Sequence, residues 1–118
     1  MAFKKLEVWK LSARLSSDIY KELAGLKDYG FKDQITRSGL SIPSNIAEGE
    51  ERDSLKDSIR FLYIAKGSAA ELMTQIYIGM EIGYIDKAIG KEWVTRTDEI
   101  MKKIGALIQA KKKIVEEK

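Results

Sequence analysis

The side chains most often used for acid–base and nucleophilic chemistry near neutral pH are missing from this chain of 118 residues. It has no cysteine and no histidine, the residue that most often transfers protons near neutral pH. The densest group of carboxylates is Glu48, Glu50 and Glu51, which we interpret as solvated or paired with basic neighbours. Serines are numerous, but only lysine could serve as a base for one. We therefore predict that the protein is not an enzyme and has no catalytic residue.

The sequence also predicts no metal and no cofactor. Without histidine and cysteine only oxygen ligands remain, and no spacing resembles a calcium-binding loop. The glycines are scattered through helical patterns and form no phosphate-binding loop after a strand.

Basic side chains recur at helical spacing near the N-terminus. Lys10, Arg14 and Lys21 fall within a narrow arc when residues are placed at about 100° per step. Such a row is either an ordinary solvated face or a surface that meets an acidic partner. The net charge of +3 implies acidic partners only weakly for one copy, and assembly of several copies would multiply the excess.

Composition and length bound the class of protein and its location. The chain is predicted to be one domain over 1–118, and a single proline argues against a turn-rich β fold. The segment 1–9 is charged and amphipathic, unlike a secretory signal. No stretch approaches the roughly 20 apolar residues that span a bilayer. Together with the absence of cysteine, this predicts a cytoplasmic protein with no membrane role.

Four helical patterns follow one another along the chain, at about 5–26, 31–52, 54–83 and from 87 onward. Ser54 and Asp86 are predicted to cap the third and fourth helices. In the third, Leu72 lies outside the predicted core stripe. Short connections favour antiparallel neighbours, and seven-residue repeats in the fourth helix favour left-handed packing. The prediction is an all-α, up-down-up-down, left-handed four-helix bundle.

The only proline, Pro43, lies inside the second helical pattern. A proline there removes one backbone hydrogen bond and clashes with the carbonyl four residues earlier, which belongs to Gly39. We predict one helix kinked at Pro43, with nearby serines and Asn45 able to bind the freed carbonyl. A break at Ser41 is the alternative.

Two helices carry more apolar surface than one core face requires. The first has a second apolar strip that includes Trp9 and Tyr20, and the third carries Phe61 and Ile64 away from its core stripe. Gly67 begins a patch of small residues that would allow close approach of another helix. Because monomeric proteins rarely expose large apolar patches to solvent, these five residues are the candidate oligomer interface.

Three stretches resemble a known bacterial family of four-helix bundles. They are Ser41–Gly49 with its internal proline, Phe61–Leu72, and the opening Phe3–Trp9. Members of that family were first noticed as products of intervening sequences within large-subunit ribosomal RNA genes. Ser12, Ser38 and Gly39 depart from its usual alanines, and these changes could matter at a subunit interface.

The resemblance implies properties that periodicity alone does not. It implies a ring-shaped homopentamer without an assigned activity, and a structural motif formed by Ser41, Pro43, Asn45, Glu48 and Gly49. A related branch, the accessory proteins of diversity-generating retroelements, presents a basic surface to nucleic acid and a reverse transcriptase. By analogy, the basic row Lys10, Arg14 and Lys21 becomes a set of candidate phosphate contacts.

Two functions therefore stay open. The first is an oligomeric accessory protein that binds the phosphate backbone of RNA or another nucleic acid, with a reverse transcriptase-like protein as a further candidate partner. The second is a scaffold that binds another polypeptide and has no nucleic-acid role. The apolar strips fit both, whereas the basic row and the isoelectric point near 9.0 favour the first.

Overall fold

A computed structural model describes residues 2–117, which form a bundle of four α-helices. A short 3₁₀ helix over Ala2–Lys5 precedes them, and no strand occurs among the described residues. The helices are α1 (Glu7–Glu22), α2 (Tyr29–Glu50), α3 (Leu55–Glu81) and α4 (Lys87–Glu117). The all-α prediction is confirmed.

Side-chain contacts fix the direction of each helix relative to its neighbour. Across α2 and α3, the hydroxyl oxygens of Ser41 and Ser68 are 2.9 Å apart, and Ser38 donates to Glu71 one turn further along. The numbering rises on one helix as it falls on the other, so the pair is antiparallel. Contacts between α1 and α2, between α3 and α4, and between α1 and α4 show that these pairs are antiparallel as well. The up-down-up-down order is therefore confirmed. The handedness of the bundle stays a prediction.

The core consists of apolar side chains contributed by all four helices, most of them aliphatic, and the aromatic Trp93 is its largest member. Thr97 is also fully buried, and its hydroxyl donates a hydrogen bond to the carbonyl of Trp93. The buried hydroxyl group is therefore satisfied. Among the described residues, no helix has the length and apolar character needed to cross a membrane.

The helix starts follow local capping chemistry. Ser54 accepts a hydrogen bond from the amide of Asp57, and Asp86 accepts from the amides of Ala88 and Ile89, as predicted for α3 and α4. The cap of α2 was missed: Asp28 accepts from the amide of Phe31, so α2 begins two residues earlier than expected.

The second helix runs unbroken through Pro43, so the alternative of a break at Ser41 is wrong. The amide of Asn45 donates to the carbonyl of Ser41 over 2.8 Å and to its hydroxyl over 2.9 Å. The amide therefore supports the carbonyl of Ser41 rather than that of Gly39, which was the expected acceptor. The side chain of Pro43 is buried on the face towards α1.

Two sequence predictions are corrected by packing. The first helix ends at Glu22 rather than near 26, because the chain turns over Leu23, whose side chain is buried in the core. Leu72 was placed outside the core stripe of α3 but is fully buried. The reason is that α3 contacts both α2 and α4, which widens its buried arc beyond a single stripe.

Candidate nucleic-acid and assembly surfaces

The basic row of α1, which consists of Lys10, Arg14 and Lys21, is exposed along its whole length. Its ends are about 16 Å apart, at 1.5 Å per residue. Among the ion pairs of residues 2–117, none involves these three side chains. The row therefore presents its positive charge to solvent.

Two acidic residues beside the row, Glu7 and Asp18, are paired with cations of α4. Lys103 Nζ is 2.8 Å from Glu7 Oε1, and Arg96 is 2.9 Å from Asp18. The hydrogen bond and charge of Lys103 hold the pKa of Glu7 below its ordinary value, and Glu7 in turn raises the pKa of Lys103. These contacts join α1 to α4. They also bind two carboxylates whose negative charge would otherwise offset the positive charge of the row.

The surroundings of the row are not uniform. Lys21 lines a shallow polar concavity together with Asp18, Glu22 and Glu92. Three acidic residues therefore share this concavity with Lys21. Lys10 and Arg14 are the part of the row where positive charge dominates.

The outer side of the α1–α2 pair forms an apolar groove, here named the α1–α2 groove. It runs from the level of Trp9 and Ala47 at one end to Tyr29 at the other, and Tyr20 joins its two halves. The half around Trp9 has no charged side chain among its lining residues, which are Phe3, Trp9, Ala13, Ser16, Ser17, Tyr20, Leu40, Pro43, Ser44 and Ala47.

The outer face of α3 carries a second apolar surface, here named the α3 ridge. It consists of Ile64, Gly67, Ile78 and Ile82, which fall within about 60° of one another around the helix. The exposed residue Glu71 lies on the same arc, between Gly67 and Ile78 along the helix. The three isoleucines are 41%, 49% and 50% exposed. A Cβ added at Gly67 would have nothing within 4 Å, so the chain itself leaves this position open.

The structure divides the predicted interface residues between these surfaces. Trp9 and Tyr20 lie in the groove, while Ile64 and Gly67 lie on the ridge. Phe61 is on neither, because its ring packs between the guanidinium groups of Arg52 and Arg60, at 4.4 and 4.5 Å, and contacts the position of Gly49.

The predicted structural motif has an internal packing role for most of its members. Ser41 and Asn45 form the hydrogen-bonded link from α2 to Ser68 of α3. Gly49 allows close approach of α3, since an added Cβ would lie 3.1 Å from the carbonyl oxygen of Ser58. Glu48 pairs with Arg52 one turn along the chain.

The carboxylates at the end of α2 are engaged by basic side chains. Lys111 Nζ is 3.2 Å from Glu50 Oε1, and both side chains are largely buried. The two groups form an ion pair by distance, although the angle does not make a hydrogen bond. Within residues 2–117, no three acidic side chains are grouped as metal ligands would be.

Comparison with known proteins decides the family. A family model described as 23S rRNA-intervening sequence protein matches residues 4–106. The chain belongs to this family. It is also similar to a crystal structure from Bacteroides thetaiotaomicron, a protein of unknown function from the S23 ribosomal protein family. The two share 30% sequence identity and a TM-score of 0.81, over 86% of this chain and 97% of that one.

Membership of the 23S rRNA-intervening sequence protein family confirms the resemblance of the three sequence stretches. No curated protein matches the chain. The match covers α1 to α3 and the larger part of α4, and so it includes the basic row, the groove and the ridge. The relation to retroelement accessory proteins stays a prediction.

Proposed function

We propose that this chain is a non-catalytic, self-associating bundle, assembled as a ring of five copies, that binds RNA through the basic row of α1. The observation that carries the proposal is the exposed row itself, with Glu7 and Asp18 beside it held by Lys103 and Arg96. Because Lys103 and Arg96 already pair with these two carboxylates, the part of the row formed by Lys10 and Arg14 attracts phosphates more strongly than it would beside free acids.

Assembly supplies what one copy lacks. A single row offers three phosphate contacts, whereas five copies offer on the order of fifteen, if all rows face one strand. Self-association is supported by the groove and the ridge, two apolar surfaces that the bundle leaves exposed. The number five comes from the family resemblance described above.

The mode of binding follows from the side chains of the row. Lysine and arginine at helical spacing contact phosphate oxygens, which position a nucleic acid without reading its sequence. We therefore expect recognition of backbone and shape, as is usual for structured RNA.

The direct test is charge neutralisation at the row. The variant Lys10→Gln, Arg14→Gln, Lys21→Gln is compared with Lys87→Gln, Lys91→Gln, Lys113→Gln, which removes the same charge from exposed positions of α4. Affinity for a short structured RNA is measured over a range of salt concentrations. Loss of three contacts should flatten the slope of log affinity against log salt by about 2 to 3, or more if several copies contact the strand.

The control separates a site from a general charge effect. If the α4 variant loses as much affinity as the α1 variant, RNA binds by net charge and the row is not its site. If the α1 variant binds with an unchanged affinity and salt slope, the assignment is wrong.

A scaffold without a nucleic-acid role is the second candidate, and the uncharged half of the groove favours it. A protein partner could bury this apolar surface, whereas phosphates gain nothing there. A native assembly whose mass does not change with RNA at low salt would favour the scaffold.

A further inference from the structure

We propose that the charged half of the α1–α2 groove is a pocket for one unpaired nucleobase. This half, here named the tyrosine pocket, is lined by Tyr20, Ala24, Tyr29, Lys32, Asp33 and Thr36. Its volume of about 610 Å³ lies within the range of sites for small molecules. The inference rests on the proposed binding of RNA, and it adds a base contact to the phosphate contacts of the basic row.

Two exposed tyrosines supply aromatic faces on which a base can stack. Tyr20 is 45% exposed and Tyr29 is 70% exposed. Lys32 Nζ donates to the carbonyl of Ala24 over 3.2 Å, which places these two residues opposite each other. Because α1 and α2 are antiparallel, Tyr20 lies about one turn to one side of this pair and Tyr29 about one turn to the other. A planar base that enters over the small side chain of Ala24 therefore has a tyrosine at either end.

Tyr29 is held in place although most of its side chain is exposed. The ammonium group of Lys32 lies 5.0 Å from the centroid of its ring, and the hydrogen bond to Ala24 fixes that ammonium group in turn. A cation over the face of a ring attracts it and so stabilises this position of the side chain. An aromatic ring that is already fixed loses less conformational entropy on binding than a freely rotating one.

The charged groups of the pocket match the polar edge of a base. Lys32 has N–H donors beyond the one that Ala24 accepts. Asp33 pairs through Oδ2 with Nε of Arg37 over 3.0 Å, which leaves its Oδ1 to accept a hydrogen bond. An aliphatic side chain of a protein partner would leave both charges without a partner. The pocket suits a ring that is apolar on its faces and polar on its edge, as a nucleobase is.

The tyrosine pocket adjoins the basic row. Tyr20 directly precedes Lys21, and at about 100° per residue Ala24 and Tyr20 lie about 40° and 80° from Lys10 around α1. The row and the pocket are therefore neighbouring parts of the outer surface of α1. When the phosphates of a strand contact the row, an unpaired base of the same strand can turn into the pocket. Every base has a face that stacks, so the contact adds affinity without selecting one sequence.

An abasic strand tests the base contact separately from the phosphate contacts. A short oligocytidylate is compared with an abasic strand of the same length, which has the same phosphates and sugars but no bases. The wild-type protein should bind the oligocytidylate more tightly by about 5- to 150-fold, the range for stacking of one base. Both strands should give the same slope of log affinity against log salt, because their phosphate contacts are the same.

Variants of Tyr29 assign this preference to the pocket. Tyr29→Ala should bind the two strands with nearly equal affinity and an unchanged salt slope. Tyr29→Phe keeps the ring and should keep the preference, and circular dichroism checks that each variant is folded. Tyr77→Ala removes an exposed tyrosine of α3, outside the pocket, and should also keep the preference. A Tyr29→Ala variant that still prefers the oligocytidylate would overturn the inference.

The outcomes separate this inference from the proposed function. Equal affinity of the wild-type protein for both strands would contradict the pocket and leave the row in place, whereas failure to bind either strand would contradict both. The variant Lys10→Gln, Arg14→Gln, Lys21→Gln should lose affinity for both strands by the same factor and keep the preference for bases. If this variant keeps its salt slope while the preference depends on Tyr29, the row is wrongly assigned and the pocket stands.

A free nucleotide decides the source of the base. Cytidine monophosphate should displace the oligocytidylate only at a far higher concentration, because it lacks the further phosphate contacts of a strand. If cytidine monophosphate binds as tightly as the strand, and Tyr29→Ala abolishes its binding, the pocket binds a free nucleotide and the assignment to RNA is wrong.

Discussion

Tyr84 donates its hydroxyl proton to Oδ2 of Asp28 over 2.8 Å, and this bond joins the turn between α1 and α2 to the turn between α3 and α4. The other carboxylate oxygen of Asp28 accepts the amide of Phe31 and caps α2. The rings of Phe31 and Tyr84 meet edge to face, with centroids 5.3 Å apart. One carboxylate thus ties together both turns at this end of the bundle.

This contact should make the free energy of unfolding depend on pH at both extremes. The amide of Phe31 and then the hydroxyl of Tyr84 lower the pKa of Asp28, so its contribution is present above its ordinary value of 3.8 and is lost as pH falls through the folded pKa. Asp28 raises the pKa of Tyr84, so that contribution is present below 10.0 and is lost as pH rises through the folded pKa.

Tyr84→Phe should raise the pKa of Asp28 only part of the way to 3.8, because the bond from Phe31 remains. It should also remove the loss of stability that accompanies ionisation of Tyr84 above pH 10. NMR titration of the Asp28 carboxyl group and denaturant unfolding at neutral and alkaline pH measure the two effects. Tyr77→Phe, an exposed tyrosine of α3, is the control and should leave the Asp28 titration unchanged.

Glycines in the helices are predicted to respond to alanine with opposite signs. At Gly79 an added Cβ would lie 2.5 Å from Cδ1 of Ile85 and 3.0 Å from the ring of Phe31. Overpacking costs about 1–3 kcal/mol. Helix propensity returns at most about 1 kcal/mol. Gly79→Ala should therefore lower the free energy of unfolding.

Gly105→Ala is the matched control, because the only neighbour of its added Cβ is Lys66 Nζ at 4.0 Å. We expect it to raise the free energy of unfolding by up to about 1 kcal/mol. Denaturant unfolding measures the free energy of unfolding of both variants. The protein concentration is kept the same, since self-association makes this free energy depend on concentration. A stabilised Gly79→Ala would mean that Ile85 can move aside and that the packing of this layer is looser than it looks.

Much of the fold was predictable because local chemistry determines it. Ser54 and Asp86 cap helices as their positions after polar turns predict, and the internal Pro43 was correctly assigned to one continuous helix. The cap at Asp28 was missed because Asp28-Tyr29-Gly30 also has the composition of a turn. A capping aspartate and a turn aspartate look the same until the helix start is known.

What could not be predicted depends on how the helices combine. Periodicity assigns one face to each helix, but α3 packs on two neighbours, and Leu72 was misplaced for that reason. The basic row was visible at helical spacing, whereas the pairing of Glu7 with Lys103 was not, since it joins residues far apart in the sequence. The groove likewise exists only because the second apolar strip of α1 lies beside Leu40 and Pro43.

The hydroxyl pair between α2 and α3 should show coupling in a double-mutant cycle. Ser41 and Ser68 are 2.9 Å apart, and Asn45 donates to the same hydroxyl of Ser41. Loss of a partly buried hydrogen bond predicts a coupling energy of about 0.5–1.5 kcal/mol between Ser41→Ala and Ser68→Ala. Denaturant unfolding measures it. A parallel cycle of Ser41→Ala with Thr95→Ala, which lies on the outer face of α4, should be additive. Equal coupling in both cycles would refute a specific link.

The final prediction connects the α1–α4 ion pair to the proposed RNA surface. Lys103→Met should raise the pKa of Glu7 towards its ordinary value of 4.5, because the hydrogen bond and charge of Lys103 are the main causes of its lowering. The ion pair contributes stability above that value and loses it as pH falls through the folded pKa of Glu7. In the variant, the free energy of unfolding should depend less on pH in the acidic range. NMR titration of the Glu7 carboxyl group and denaturant unfolding at acidic pH measure the two effects.

The same change should weaken RNA binding without altering the basic row. At neutral pH the freed carboxylate of Glu7 lies one helical turn from Lys10 and attracts its ammonium group, so phosphates meet a less positive surface. Lys102→Met removes an equal charge next to Lys103, but its partner Asp98 is on α4, away from the row. A larger loss of affinity for Lys103→Met than for Lys102→Met would therefore support the role of the paired acids. Equal losses of affinity would show that RNA binding depends only on net charge, and that the ion pairs beside the row do not strengthen it.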